Sequence, residues 1–127
     1  MKRRVLLAED NPATIELMTK ELEALGYEVS VAENGLEAVR KAISDPPDLV
    51  VMDVIMPKMD GLQAAGRLRK NPKTKDIPIL AATGLALPGD REKCLESGCD
   101  GYITKPFTPK QLGAAIEKLS KEVSGRT

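Results

Sequence analysis

The sequence predicts an α/β protein built from five β-α units around a mainly parallel sheet with helices on both faces. Three features carry that expectation. Short apolar runs alternate with longer segments of helical periodicity. Several of the runs end abruptly in a charged or hydroxyl residue. Glycine and proline mark most of the junctions.

The elements follow in order. Arg4-Val5-Leu6-Leu7-Ala8 is an apolar run that stops at Glu9-Asp10, as expected of a strand buried on both faces. Ile15, Met18, Leu22 and Leu25 then fall at helical spacing, with Pro12 near the start and Gly26 as the stop. Tyr27 to Ala32 alternates and predicts a second strand. Asn34-Gly35 predicts a turn, and Leu36, Val39 and Ile43 a second helix closed by Pro46-Pro47. Leu49-Val50-Val51-Met52 predicts a third buried strand ending at Asp53. A loop over Met56-Pro57-Lys58-Met59-Asp60-Gly61 leads to a third helix carrying Leu62, Ala65 and Leu68. Ile77 to Ala82 predicts the fourth strand, with Thr83 at its end. A fourth helix is expected from near Pro88 to Gly98, and Tyr102-Ile103-Thr104 a short fifth strand. Leu112, Ala115, Ile116, Leu119 and Val123 mark the last helix, before a short polar tail. One domain is expected over residues 1–127, with a core of about 4–123. Each crossover should be right-handed.

Composition narrows the function classes. The chain has 127 residues, of which 42 % are apolar, enough for a packed core without staples. Aromatics are scarce, so that core must be aliphatic. Lysine plus arginine equals aspartate plus glutamate, 19 each, so no net positive field draws in nucleic acid. Lys2, Arg3 and Arg4 form a local basic start that reads more simply as a solvated end than as a nucleic-acid grip. No apolar run approaches the ~20 residues that span a bilayer, and the first residues lack the apolar stretch expected of a signal peptide. A cytoplasmic location is expected, with Cys94 and Cys99 as free thiols. There is no histidine, which removes the commonest general base and metal ligand.

In an open parallel α/β sheet, ligands collect outside the carboxyl ends of the strands. There the sequence places Glu9-Asp10 after strand one, Asp53 after strand three, Thr83 after strand four and Thr104-Lys105-Pro106 after strand five. Three neighbouring carboxylates repel unless some are protonated or neutralised. A bound cation resolves the conflict, and all-oxygen ligation suits Mg²⁺, or Mn²⁺. A cation would also screen an incoming phosphoryl group, leaving one carboxylate free to attack phosphorus. Lys105 offsets charge and Thr83 offers a hydrogen bond, which is most of what phosphoryl transfer requires. Taken singly, each has a plainer explanation: Glu9-Asp10 as a helix N-cap, Asp53 as a turn residue, Lys105 as a surface charge.

These same segments carry a resemblance. LLAEDN, LVVMDVIMPKMDG around Asp53, ATG at Thr83 and YITKPF, in this order and at these intervals, resemble the receiver domain of bacterial two-component response regulators, chemotaxis-regulator-like single-domain members included. The likeness runs from about Val5 to Leu119. It implies a flavodoxin-like fold with strand order 2-1-3-4-5. It implies that Asp53 is the phosphoacceptor, that Asp10 ligates Mg²⁺ with Glu9 beside it, and that the backbone carbonyl of Ile55 is a further ligand. Thr83 and Lys105 would contact the phosphoryl group, the Lys105-Pro106 bond would be cis, and Tyr102 would be the switch aromatic that follows Thr83. Ile55 and Leu85 stand where members of the family vary, and two bulky apolar groups there are expected to prolong the phosphorylated state.

The expected function is thus a phosphoacceptor response regulator in a phosphorelay. It would be an enzyme only for its own phosphorylation and slow autodephosphorylation. Lacking histidine, the chain cannot be the histidine donor, so a histidine kinase or a histidine phosphotransfer protein is the expected upstream partner. A downstream effector would read the face formed by helix 4, strand 5 and helix 5. Leu85-Ala86-Leu87 is either part of that surface or a buried loop. No output domain is expected after Val123, so no nucleic-acid partner is expected, and the lack of a long apolar run leaves no expectation of membrane insertion. The alternative is a receiver cut from a larger hybrid histidine kinase or multidomain regulator. A flavin or nucleotide module fits poorly, because Glu9-Asp10-Asn11-Pro12 would repel phosphate without a metal. An aspartyl-phosphate hydrolase would need a second acid where Ile55 stands.

Overall fold

A computed structural model describes residues 3–84 and 89–124. Five strands, β1 (Arg3–Ala8), β2 (Tyr27–Ala32), β3 (Leu49–Asp53), β4 (Ile79–Thr83) and β5 (Gly101–Thr104), alternate with five helices. These are α1 (Pro12–Ala24), α2 (Gly35–Ser44), α3 (Gly61–Lys70), α4 (Asp90–Ser97) and α5 (Pro109–Ser124). The strands form one parallel sheet in the order β2-β1-β3-β4-β5, the flavodoxin-like arrangement. Leu85-Ala86-Leu87, Pro88, Lys2 and the Val123 side chain lie outside what is described.

Side-chain alternation along the central strands divides the core in two. Val5 and Leu7 of β1, Leu49 and Val51 of β3, and Leu80 and Ala82 of β4 face Met18 and Leu22 of α1 and Leu112, Ile116 and Leu119 of α5. Leu6, Ala8, Val50, Met52, Ile79 and Ala81 face the opposite way, toward α2, α3 and α4. The three central strands are therefore apolar on both sides, whereas edge strand β2 exposes Glu28 and Ser30. Cys94 and Cys99 are free and buried. Burial pushes the Cys99 thiol up to about 12.

The structure corrects several boundaries. Asn34-Gly35 is not a turn but the opening of α2: Asn34 is the N-cap, and its side chain accepts the Glu37 N–H at 2.8 Å. Gly35 is needed for a different reason. A Cβ there would lie 2.0 Å from the Met59 carbonyl oxygen, so only glycine lets the β3-α3 loop cross so close. Strand β4 begins at Ile79 rather than Ile77, because Pro78 has no N–H and the Ile77 carbonyl is taken by Arg69. Residues 60 and 61 belong to the helix start rather than to the loop. Asp60 caps α3, and Gln63 returns the bond in a capping box. The described part of α4 starts at Asp90, after Gly89 with φ 88°.

One half-buried side chain joins four segments. Arg69 near the end of α3 donates Nε–H to the Gly98 carbonyl (2.8 Å) and Nη1–H to the carbonyls of Lys75 (2.8 Å) and Ile77 (2.7 Å). Its Nη2 pairs with Asp100, whose side chain is 6 % exposed and also accepts the Ile79 N–H at 2.9 Å. This guanidinium fixes the C-terminal end of α4 and the starts of β4 and β5 against α3. Removing it takes the guanidinium away from a buried carboxylate and from three carbonyls. Arg69→Met should therefore lower unfolding free energy by about 3–5 kcal/mol, the usual cost of breaking a buried pair, as read from urea titration. A loss under about 1 kcal/mol would show that the pair is dispensable.

Candidate functional site

Four strand ends build a cleft at the carboxyl edge of the sheet. Strand β1 stops at Ala8, and the next N–H, that of Glu9, still reaches the Ala32 carbonyl of β2 at 2.9 Å. Strand alternation then sends Glu9 inward, where it is 2 % exposed, and Asp10 outward into solvent. Asn11 caps α1 by accepting the Thr14 N–H at 3.1 Å, and its own N–H bonds Glu9 Oε1 at 3.2 Å. The capping role belongs to Asn11 rather than to Glu9-Asp10.

Asp53 closes β3. Its Oδ1 accepts the Ile55 N–H at 3.1 Å, which holds the carboxylate in one orientation. Ile55 itself is 55 % exposed, so its backbone lies near Asp53 while its side chain meets solvent. Behind Asp53 stands the first residue of α3. A Cβ on Gly61 would fall 2.3 Å from the Asp53 carbonyl oxygen, so this position must be glycine for α3 to start where it does. Sequence reasoning placed Gly61 only in a loop; the Asp60-Gly61 pair before Gln63 was the signal for a tightly seated helix start.

Strand β4 brings Thr83 to the same rim, where it is buried, and pairs it with Thr104 of β5. The Lys105 N–H then bonds the Thr83 carbonyl at 2.8 Å, and the Lys105-Pro106 peptide is cis. From this position Lys105 Nζ reaches Glu9 Oε2 at 2.7 Å and Asp53 Oδ2 at 3.1 Å. One ammonium therefore ties together residues 96 and 52 positions away.

One oxygen from each of Glu9, Asp10 and Asp53 lies within 4.8 Å of the other two. Burial raises the Glu9 carboxyl above its usual range; the Lys105 hydrogen bond opposes that shift and the Asp53 charge adds to it. For Lys105, burial works against the charge, but the Glu9 hydrogen bond and the Asp53 charge outweigh it and leave the ammonium raised. The cluster thus has more negative charge than one lysine can balance. Its donor set is three carboxylate oxygens and no nitrogen or sulfur. That set fits a small hard divalent cation, whose opposite ligands stand about 4.2 Å apart at metal–oxygen distances of about 2.1 Å.

Of the residues singled out in the sequence, Glu9, Asp10, Asp53 and Lys105 come together directly, and Thr83 stands at the same rim. Tyr102 stands two residues before Thr104 on β5. It pairs with Ala81, further back along β5, and packs half-buried against the apolar layer under α2, α3 and α4. Burial, with the nearby Asp90 charge, raises its phenol.

Among the described residues no helix is long and apolar enough to cross a membrane. Comparison with known proteins gives a consistent answer. A family model described as the response regulator receiver domain matches residues 5–117. The polar-differentiation response regulator DivK of Brucella anthropi is 37 % identical over 108 residues, covering 85 % of this chain and 88 % of DivK. The transcriptional regulator RpaA of Synechocystis is 37 % identical over 116 residues, or 91 % of this chain but 48 % of RpaA. The chain likewise spans about half (49 %) of the regulator PhoP of Bacillus subtilis. Among solved structures, the receiver domain of a Pseudomonas aeruginosa sensor histidine kinase superimposes with a TM-score of 0.86 at 34 % identity, covering 98 % of this chain and all of that one. That neighbour was solved with a magnesium ion coordinated in its active-site cleft. The chain belongs to the response regulator receiver domain family.

Proposed function

We propose that this chain is a phosphoacceptor switch in which Asp53 takes a phosphoryl group with the help of Mg²⁺, or Mn²⁺, held by Glu9, Asp10, Asp53 and the backbone carbonyl of Ile55. The observation that carries this reading is the Lys105 ammonium bridging Glu9 and Asp53 beside a third carboxylate. A bound divalent cation would supply charge neutralisation on the phosphoryl oxygens. The remaining work falls to the chain. Asp53 is pre-oriented by the Ile55 N–H. One of its carboxylate oxygens forms the new bond to phosphorus while the bond from phosphorus to the donor's leaving group breaks. The Lys105 ammonium, already at Asp53 Oδ2, turns to the phosphoryl oxygens, and Thr83 donates its hydroxyl to another. Attack by water on phosphorus later restores the carboxylate and releases phosphate. Beyond these two reactions of its own aspartate, the chain needs no other turnover.

Phosphorylation adds about −1.5 to −2 charge at the rim. That charge draws Thr83 and Lys105 toward it and biases a two-state packing in which Tyr102 follows Thr83. The donor is a histidine kinase or a histidine phosphotransfer protein. The reader is an effector protein at the α4-β5-α5 face, and the setting is the cytoplasm. Residues 1–127 act as one receiver domain. A second setting, a receiver within a larger hybrid kinase or multidomain regulator, is favoured by the half-length match to RpaA and PhoP and by the kinase origin of the solved neighbour.

Incubation with acetyl phosphate and Mg²⁺ should add one phosphoryl mass to the intact protein. Asp53→Asn and chelation with EDTA should each abolish the gain. A gain that survives Asp53→Asn would remove Asp53 from its assigned role. A bulky apolar group two residues after Asp53 would hinder the attacking water, so Ile55→Asn should speed loss of the acyl phosphate at least several-fold; an unchanged decay rate would show that Ile55 does not guard the bond.

A further inference from the structure

Away from the strand ends, α2 and α3 pack side by side and leave an open groove between their C-terminal halves. It has a volume of about 460 Å³ and is lined by Val39 and Ile43 of α2, Arg67 and Lys70 of α3, and Asn71 and Pro72 of the following turn. Its floor is apolar and its α3 wall is cationic. Lys73 and Lys75 continue the positive charge just beyond, and like Arg67 and Lys70 they are exposed. None of these four side chains makes an ion pair with a described residue.

The charge is not explained by local structure. Basic residues in the last turn of a helix complement its dipole, which accounts for part of Arg67 and Lys70. Lys73 and Lys75 lie past the helix end, where the dipole falls away. Asp76, which adjoins them in sequence, is one charge against four, and Asp45 at the end of α2 is held by Arg4 at 2.6 Å. In a chain with 19 positive and 19 negative residues, this is a local surplus. The groove is also separate from the carboxylate cluster. Gly61 at the start of α3 abuts Asp53, and Lys70 lies nine residues further, about 13 Å along the helix axis.

We propose that the α2-α3 groove is a second docking surface, which takes an acidic amphipathic helix of a partner protein. Apolar side chains on one face of that helix would sit on Val39, Ile43 and Pro72, and flanking carboxylates would meet Arg67, Lys70, Lys73 and Lys75. Helix-in-groove recognition uses this combination of apolar anchors at helical spacing and a charged rim. The apolar floor favours a protein helix over nucleic acid, which would need base-stacking or phosphate-tracking groups along a longer basic track.

The test uses the full chain labelled with ¹⁵N and a synthetic helical peptide with leucines on one face and glutamates on the other. Titration should shift the amides of Val39, Ile43, Arg67 and Lys70 first. The double variant Arg67→Glu/Lys70→Glu should weaken binding at least tenfold, and Ile43→Ala should weaken it several-fold, each with unchanged circular dichroism. A peptide of the same composition with its leucines scattered should bind at least tenfold more weakly. Equal binding of the scattered peptide would reduce the groove to a general electrostatic surface and overturn the proposal. So would shifts centred elsewhere, or displacement of the peptide by a single-stranded oligonucleotide at lower concentration than the peptide itself requires.

Discussion

The constraint on which the rest depends is the crowding of Glu9, Asp10 and Asp53 at one rim, with only Lys105 from the described chain placed to relieve it. Like charges this close are unfavourable in a half-buried cleft. The protein accepts the strain because the acids lie at the ends of adjacent strands, β1 and β3, whose pairing is fixed by the apolar layers on both faces. The ammonium arrives from β5, on the far side of β4. The sheet must therefore form in the order observed before the charge can be balanced. The site is a product of topology and cannot exist in any one segment.

The remaining backbone around the rim serves that placement. Asn11 caps α1 with its side chain, while its own N–H bonds Glu9 Oε1 and leaves Glu9 Oε2 to Lys105. The Ile55 N–H holds one Asp53 oxygen and Lys105 the other. Gly61 allows α3 to begin against the Asp53 carbonyl, and Gly35 allows the β3-α3 loop to pass over the start of α2. These are close backbone approaches, and each tolerates no Cβ. A rim held this firmly suits a reaction that depends on positioning and charge more than on proton transfer.

The opposite end of the helical layer is organised differently. Arg69 gathers carbonyls from the α4 C-terminus and from the loop before β4, and pairs with Asp100 at the entrance to β5. It anchors one end of α4 while the other end lies beside the rim. The exposed cations near the α2-α3 groove lie outside that arrangement, so they are free to serve a separate contact.

By itself the sequence determined the alternation of strands and helices, the aliphatic two-sided core and the identity of the residues at the strand ends. These follow from periodicity and from the abrupt change from apolar to charged residues at Ala8-Glu9 and Met52-Asp53. It did not determine that Asn34-Gly35 starts a helix, because the same pair also suits a turn and only the Met59 carbonyl decides between them. Nor did it determine the start of β4, since the Ile77 carbonyl is claimed by Arg69 from another element. The tertiary structure alone decided that Lys105 joins Glu9 to Asp53, and that Arg67 and Lys70 border a groove they share with Val39 and Ile43. The physical reason is common to all of these. Periodicity reports which face of an element is buried, but it carries no information about which distant atom completes a hydrogen bond or an ion pair.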